Sequence, residues 1–228
     1  MSLIINRKIK GDVQLGVWKI EESIAELLQM LNLTPMEERI FESFGNDERR
    51  KQWLSYRVTI KKLLNLNKVL DINYDRYGKP KILNHYLHIS VSHSGVFSAA
   101  ILHKRHATGI DIERLSKRIS TIKDKFLSPQ ELRELPEKSE NMTEILHVYW
   151  GAKEAIYKIQ SLGSISLREH IYVSPFDVFK DNIINANLNY LHYQRQYKLH
   201  FERIDDYLLV YSVDEPSHDK NFNTHGDD

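Results

Sequence analysis

The stretch Gly109-Ile110-Asp111-Ile112-Glu113 alternates apolar and acidic side chains in a pattern typical of a β-strand. In such a strand Ile110 and Ile112 face the core, and Asp111 and Glu113 project together from the opposite face, about 7 Å apart at their Cα atoms. Two neighbouring carboxylates repel, so one pKa rises unless a cation neutralises them. The pattern predicts either an ordinary strand with its acidic face in water or a Mg²⁺ site completed by phosphate and water.

A second candidate lies on the helix predicted to begin at Asn141 or Thr143 and to reach Gln160. Glu154 and Lys158 are one turn apart and share a face with Trp150 that is separate from the apolar stripe. Glu154 and Lys158 form either an exposed ion pair that stabilises the helix by about 0.2–0.5 kcal/mol or part of a functional site. In the functional interpretation Glu154 is a third metal carboxylate or a general base, and Lys158 contacts phosphate. Spacing alone leaves both interpretations open.

The turn Ser92-His93-Ser94-Gly95 follows a predicted strand and offers hydroxyls, an imidazole and backbone amides. This set suits phosphate oxygens, although it also fits a simple capped turn. A Ser/His/Asp hydrolase is disfavoured because Ser92 and His93 would point apart on a strand and no Gly-x-Ser-x-Gly elbow is present. Lys79, between Gly78 and Pro80, is a cation whose direction is fixed by a turn.

Composition limits the classes of function. The chain has 228 residues, 41% of them hydrophobic, with 32 basic and 31 acidic side chains and a formal net charge of +1. This balance predicts a folded protein without a global field for nucleic acid or an anionic membrane. The chain contains no cysteine, which excludes disulfides and thiolate chemistry. With no signal peptide or membrane segment recognisable, we expect a cytoplasmic protein.

The chain is predicted to be organised as two α+β lobes, residues 1–105 and 106–214, followed by a polar tail over 215–228. Cap, proline and acid patterns predict helices after Thr34 and Ser128, with Glu37 and Glu131 completing capping boxes. A longer helix, capped by Asp47, is expected to run to about residue 65. Strands are expected at residues 13–20, 72–77, 87–92, 96–102, 108–113, 186–193, 196–203 and 206–213.

The long helix after Asp47 also carries Arg50, Arg57 and Lys61 at spacings that direct all three the same way. They form either a solvated basic face or an anion-binding surface.

Taken together and in order, these segments resemble the 4'-phosphopantetheinyl transferases of the surfactin-synthetase-activating type. The resemblance spans about residues 34–213. Its motifs are Gly78-Lys79-Pro80, Ser92-His93-Ser94, Gly109-Ile110-Asp111-Ile112-Glu113, Phe126-Leu127-Ser128 through Glu131, and Trp150-x-x-Lys153-Glu154-x-x-x-Lys158. One departure is Gly151, where a small polar or thiol residue is commoner.

The resemblance implies two similar α+β lobes related by a pseudo-twofold axis, with coenzyme A in the cleft between them. It implies a holo-[acyl-carrier-protein] synthase type of reaction, in which phosphopantetheine passes from coenzyme A to a serine of an apo acyl or peptidyl carrier protein. By matching position Asp111, Glu113 and Glu154 would hold Mg²⁺, and Glu154, Lys158 and His93 would act in catalysis. The residues expected to contact coenzyme A are Lys79, Ser92, His93, Lys158, Arg57 and Arg50.

Two other functions remain open from the residues alone. The same carboxylates would suit a Mg²⁺-dependent phosphohydrolase acting on a nucleotide diphosphate. A non-catalytic module that binds coenzyme A or a carrier is the third possibility. In each case we expect a monomer without nucleic-acid or membrane partners.

Overall fold

The computed structural model describes residues 2–9, 12–66, 69–83, 85–160 and 163–215. Within these ranges the strands are β1 (Leu3–Ile9), β2 (Val13–Lys19), β3 (Ile72–Tyr74), β4 (Pro80–Ile82), β5 (His88–Ser94), β6 (Phe97–His103), β7 (Thr108–Arg114), β8 (Ile171–Val173), β9 (Ile183–Tyr190), β10 (Tyr193–Ile204) and β11 (Tyr207–Val213). The helices are α1 (Ile24–Gln29), α2 (Pro35–Ser43), α3 (Asp47–Leu63), α4 (Lys123–Phe126), α5 (Pro129–Glu134), α6 (Met142–Gln160) and α7 (Leu167–His170), with a 3₁₀ helix at Lys117–Thr121.

Two antiparallel sheets dominate the fold. One has the strand order β1-β2-β6-β5 and the other β7-β11-β10-β9-β8, while β3 and β4 form a small hairpin. Long helix α3 packs on the first sheet and α6 packs on the second, and each buries its own apolar core. A third core lies between the sheets and joins β2 and β6 to β7 and β11. The α+β class predicted from the sequence is therefore confirmed.

The first strand of the second sheet, β7, runs beside β5 of the first sheet without a backbone ladder. Ser90, Ser92 and Ser94 alternate along β5, so their hydroxyls face β7. Ser90 accepts from the Ile110 N–H at 3.2 Å, Ser92 donates to Asp111 at 3.0 Å, and Ser94 donates to the Glu113 carboxylate at 2.9 Å. These three hydrogen bonds, here called the serine seam, bring the acidic side of β7 against the Ser92-His93-Ser94 segment, which was predicted as a turn and forms the end of β5.

Both predicted capping boxes are confirmed, at Thr34 with Glu37 and at Ser128 with Glu131. The cap of α3 is Asn46 instead of Asp47, because the Asn46 side chain accepts from the Arg49 N–H at 2.7 Å.

Seven elements of the described part of the chain were not predicted. They are β1, α1, β4, the 3₁₀ helix, α4, α7 and β8, all of which except β1 have at most six residues. The division at residue 105 stays a prediction, and residues 216–228 of the predicted tail lie outside the described residues. Within the described residues, no helix is long and apolar enough to cross a membrane.

Candidate active site

One cavity of about 620 Å³ collects most of the predicted site residues. This volume lies within the usual range of ligand pockets. The residues come from separate parts of the chain: the turn before β4, strand β5, strand β7 and helix α6. Those that were predicted from the sequence are Lys79, Ser92, His93, Asp111, Glu113, Glu154 and Lys158.

Two glycines allow α6 to approach the strands closely enough to deliver its side chains. A Cβ atom at Gly109 would collide with the backbone carbonyl of Ala155, so only glycine lets β7 lie against the helix there. A Cβ at Gly151 would lie 2.6 Å from Cγ2 of Val210 on β11. Glycine at position 151 is therefore explained by close packing of α6 on the second sheet.

Asp111 is buried, with only 4% of its surface exposed. Its Oδ1 atom accepts from Lys158 Nζ at 2.8 Å and from the Ser92 hydroxyl at 3.0 Å. Lys158 also donates to the Ile110 carbonyl oxygen at 2.9 Å, which fixes the ammonium group above β7. The interpretation of this strand as having its acidic face in water is wrong for Asp111, because the serine seam and α6 cover it.

The other two carboxylates line the cavity and are only partly buried. Burial, together with the negative charges of Asp111 and Glu154, raises the pKa of Glu113 to about 7. Burial and the Asp111 carboxylate also raise the pKa of Glu154, against the opposing effect of Lys158. Burial and mutual repulsion thus disfavour the charged forms of Glu113 and Glu154, and a cation bound between them would relieve both effects.

The donor set fits a hard divalent cation. Atom Oδ2 of Asp111 is buried and has no hydrogen-bond partner among the described residues, whereas buried carboxylate oxygens are usually satisfied. Carboxylate oxygens are the ligands that Mg²⁺ prefers. In the described parts of the chain no three His, Asp or Glu side chains are already arranged around a common ion position. The ammonium of Lys158 is the cation that now neutralises Asp111.

Cationic side chains line the same cavity. Lys79 donates to the Ile159 carbonyl oxygen at 2.9 Å, and burial lowers its pKa to about 8. Burial, helped by Arg49 and Lys158, lowers the pKa of His93 to about 4, so the imidazole is neutral near pH 7. Arg49 contacts His93 Nε2 directly and lines the cavity. Sequence reasoning missed Arg49, although it lies beside Arg50 on α3.

Arg57 does not line the cavity. Its guanidinium is 1% exposed, donates to Glu37 at 3.2 Å and stacks 3.3 Å from the Trp53 ring centroid. Arg50 also lies outside the cavity lining and pairs with Asp47 at 3.3 Å. Arg50 and Arg57 share the side of α3 that faces α2, as predicted, because Arg50 lies over the Phe41 ring and Arg57 pairs with Glu37, but neither lines the cavity.

A second buried ion pair lies on α6, one residue before Glu154. Lys153 and Glu131 are both 0% exposed and their charged atoms are 2.7 Å apart. Lys153 also donates to the carbonyl oxygens of Leu167 and Ile171, at 2.9 and 2.6 Å. The pair anchors α6 to α5, α7 and β8, and it explains why Glu131 stands at a motif position without lining the cavity.

A family model described as the 4'-phosphopantetheinyl transferase superfamily matches residues 107–212. The match covers just under half of the chain and contains Asp111, Glu113, Glu154 and Lys158. It supports a transferase domain in this part of the chain. A comparison with curated proteins finds no match.

Proposed function

We propose that this protein transfers the 4'-phosphopantetheine group of coenzyme A to a serine of an apo acyl or peptidyl carrier protein, releasing adenosine 3',5'-bisphosphate. The observation that carries this proposal is the convergence of carboxylates and cations from distant segments on one cavity. The superfamily match supports the same class of reaction.

The cavity matches the charge of coenzyme A, which brings a diphosphate and a 3'-phosphate. Lys158 and Lys79 supply ammonium groups, and Arg49 supplies a guanidinium suited to paired contacts with phosphate oxygens. His93 is neutral and would donate a hydrogen bond instead of adding charge. Local clustering of this kind is necessary because the whole chain has a net charge of only +1.

Asp111, Glu113 and Glu154 would hold Mg²⁺, which when bound neutralises phosphate charge and makes the phosphorus more electrophilic. Lys158 is positioned by Asp111 and Ile110 to stabilise negative charge that develops on the diphosphate oxygens. Ser92 keeps the Asp111 carboxylate in place from the other side.

In the transfer step the carrier serine Oγ forms a bond to the phosphorus on the pantetheine side. The bond from that phosphorus to the bridging oxygen breaks, and its electrons leave with adenosine 3',5'-bisphosphate. The serine proton passes to the Glu154 carboxylate, which lines the cavity with Asp111 and Lys158. The chemistry requires no covalent intermediate on the protein.

The test is to incubate the purified protein with coenzyme A, Mg²⁺ and a panel of apo-carrier proteins and to record intact masses. We expect one or more carriers to gain phosphopantetheine, and the same carriers with serine changed to alanine to gain none. Glu154→Gln should abolish the gain. Glu144→Gln is the matched control, because Glu144 lies on the same helix but pairs with Arg203 outside the cavity lining.

Three outcomes would overturn the proposal. Release of adenosine 3',5'-bisphosphate without any carrier would indicate a phosphohydrolase. Tight binding of coenzyme A with no turnover on any carrier would indicate a binding module. Full transfer by Glu154→Gln would remove the proposed base from the reaction.

A further inference from the structure

A second cavity, of about 460 Å³, lies where the first half of α6 meets the loop between β8 and β9. Its wall includes Tyr149 on α6 and Phe176 and Phe179 in the loop. None of the described residues that line it also lines the candidate active site. This cavity, here called the aromatic groove, is therefore a separate concave surface that the proposed transfer reaction does not use.

The aromatic groove keeps apolar surface in contact with water. Phe179 lines the groove and is 78% exposed. The rings of Tyr149 and Phe176 have centroids 5.1 Å apart and planes inclined by 48°, so they do not stack face to face. Exposed phenyl surface costs free energy that an apolar ligand recovers when it covers the ring. The groove therefore favours a ligand with an apolar body.

The lining of the groove carries negative charge. It contains the carboxylates of Glu134 and Asp177, and no Lys, Arg or His among the described residues. Glu134 accepts hydrogen bonds from the neutral side chains of Gln130 and Tyr172, each at 2.9 Å, and forms no ion pair within the described ranges. Asp177 pairs with Lys180 at 3.0 Å on the surface. The groove thus keeps one carboxylate without a counter-ion from the described residues.

Tyr149 adds a hydrogen-bonding group that the protein does not use. Its side chain is only 3% exposed, and its hydroxyl forms no hydrogen bond with another described residue. Buried hydroxyls usually have a partner. Burial, together with the carboxylates of Glu131 and Glu134, raises the pKa of Tyr149, which is the direction expected where the potential is negative. The neutral hydroxyl is therefore available to a ligand in the groove.

From these features we propose that the aromatic groove binds a small organic cation, an alkylated ammonium ion of the choline class. Aromatic faces attract such cations, and alkylation gives the cation the apolar body that the groove favours. The Tyr149 hydroxyl can form a hydrogen bond with an alcohol group on the same ligand. The carboxylates attract this cation and repel phosphates, so the ligand differs in kind from coenzyme A. The inference does not rest on the proposed function.

The test is to titrate the purified protein with choline and with 3,3-dimethylbutan-1-ol, a neutral compound of nearly the same shape, and to follow the protein by NMR. We expect choline to bind at least about 10-fold more tightly than the alcohol, since only choline gains the cation–π and charge attractions. Equal binding of the two compounds would show an apolar pocket without cation recognition and would overturn the proposal. Absence of choline binding at about 50 mM, where even a weak site of about 10 mM affinity is mostly filled, would overturn it as well.

Single variants test the three features separately. Tyr149→Phe removes only the hydroxyl, so the affinity for choline should fall about threefold while the melting temperature does not fall, because the hydroxyl has no partner in the described protein. Phe179→Ala changes an exposed ring, and Glu134→Gln removes the unpaired charge. Each should weaken choline binding about 3- to 10-fold.

Glu169→Gln is the matched control for the charge change, because Glu169 is an exposed carboxylate that does not line the groove. It should retain the choline affinity of the unaltered protein within about twofold. Choline affinities that are the same in Glu134→Gln, Phe179→Ala and Glu169→Gln would overturn the site. A fall in melting temperature in Tyr149→Phe with no change in choline affinity would make the hydroxyl structural and remove it from the proposed site.

Discussion

Glu37 and Glu131 make the same set of contacts in the two halves of the chain. Each completes a capping box at the start of a short helix, and each accepts a hydrogen bond from a strand N–H. Each is also paired with a buried cation on the next long helix along the chain: Arg57 for Glu37 and Lys153 for Glu131. The same combination of cap and ion pair therefore ties helix to sheet in both halves.

The halves differ at the residue directly after the buried cation. Arg57 is followed by Val58, which packs in the apolar core, whereas Lys153 is followed by Glu154, which lines the cavity. The second long helix therefore places a carboxylate in the cavity directly after its buried cation, and the first does not. Burial of a charged side chain therefore does not by itself mark a candidate active site in this protein. The residues next to it must also line the cavity.

The largest expected effect is on stability, from Lys153→Met. Removing the cation leaves Glu131 buried without its counter-ion, and we expect the free energy of unfolding to fall by about 3–5 kcal/mol in urea titrations. The double variant Lys153→Met/Glu131→Leu should recover only part of that loss, because the uncompensated charge is removed but the hydrogen bonds that Glu131 accepts from Ser128 and Val173 are lost as well. A single-variant loss below about 1 kcal/mol would show that this pair does not anchor α6.

Asp111→Asn should instead reduce activity with little change in stability. The amide preserves the shape and the contact with Ser92 but removes the charge that holds Lys158 and favours a cation, so we expect transfer to fall about 100- to 1000-fold. The control is Asp206→Asn, an exposed residue paired with Arg114, which should leave transfer unchanged. Unfolding of Asp111→Asn under the assay conditions would make Asp111 a structural residue.

Arg57→Lys tests whether the buried cation of the first half is structural. Lysine keeps the charge but loses the stacking on Trp53 and the planar contact with Glu37, so the free energy of unfolding should fall by about 2 kcal/mol. The KM for coenzyme A should not change. Arg49 lines the cavity, so Arg49→Lys should instead raise the KM for coenzyme A and leave the free energy of unfolding nearly unchanged. A raised KM for coenzyme A in Arg57→Lys, without a loss of stability, would instead indicate that Arg57 contacts coenzyme A.

The smallest expected effect is a pH dependence of Mg²⁺ binding. Since the pKa of Glu113 is raised to about 7, binding of the cation below that pH must release a proton. As the pH is raised towards 7, we expect the dissociation constant for Mg²⁺, measured by calorimetry on the protein alone, to fall by up to about tenfold per pH unit. Above pH 7 the dissociation constant should level off. Glu113→Gln should weaken binding and flatten this profile.

The sign of the accompanying stability change is set by the same pKa shift. A carboxyl group whose pKa is higher in the folded state favours folding while it is protonated, and this contribution is lost as the pH rises from about 4.5 to about 7. In chelator the unaltered protein should therefore lose more stability over this window than Glu113→Gln. An equal loss in both proteins would mean that Glu113 is not the titrating group.

Local patterns predicted the parts of the site that depend on spacing along one element. The alternation of β7 places Asp111 and Glu113 on one side, and the helical repeat of α6 places Glu154 and Lys158 on one face, whatever surrounds them. The serine seam had a signal too, since Ser90, Ser92 and Ser94 alternate along β5, but no strand partner could be inferred from that alternation alone.

The sequence by itself determined the α+β class, both capping boxes and the faces on which the candidate residues stand, because caps and periodicity are properties of neighbouring residues. The tertiary structure alone decided that Arg49 reaches the cavity while Arg57 enters the core, and that Asp111 is covered by Lys158. Successive helix positions point about 100° apart, so a side chain's environment depends on which distant segment packs against that side of the helix.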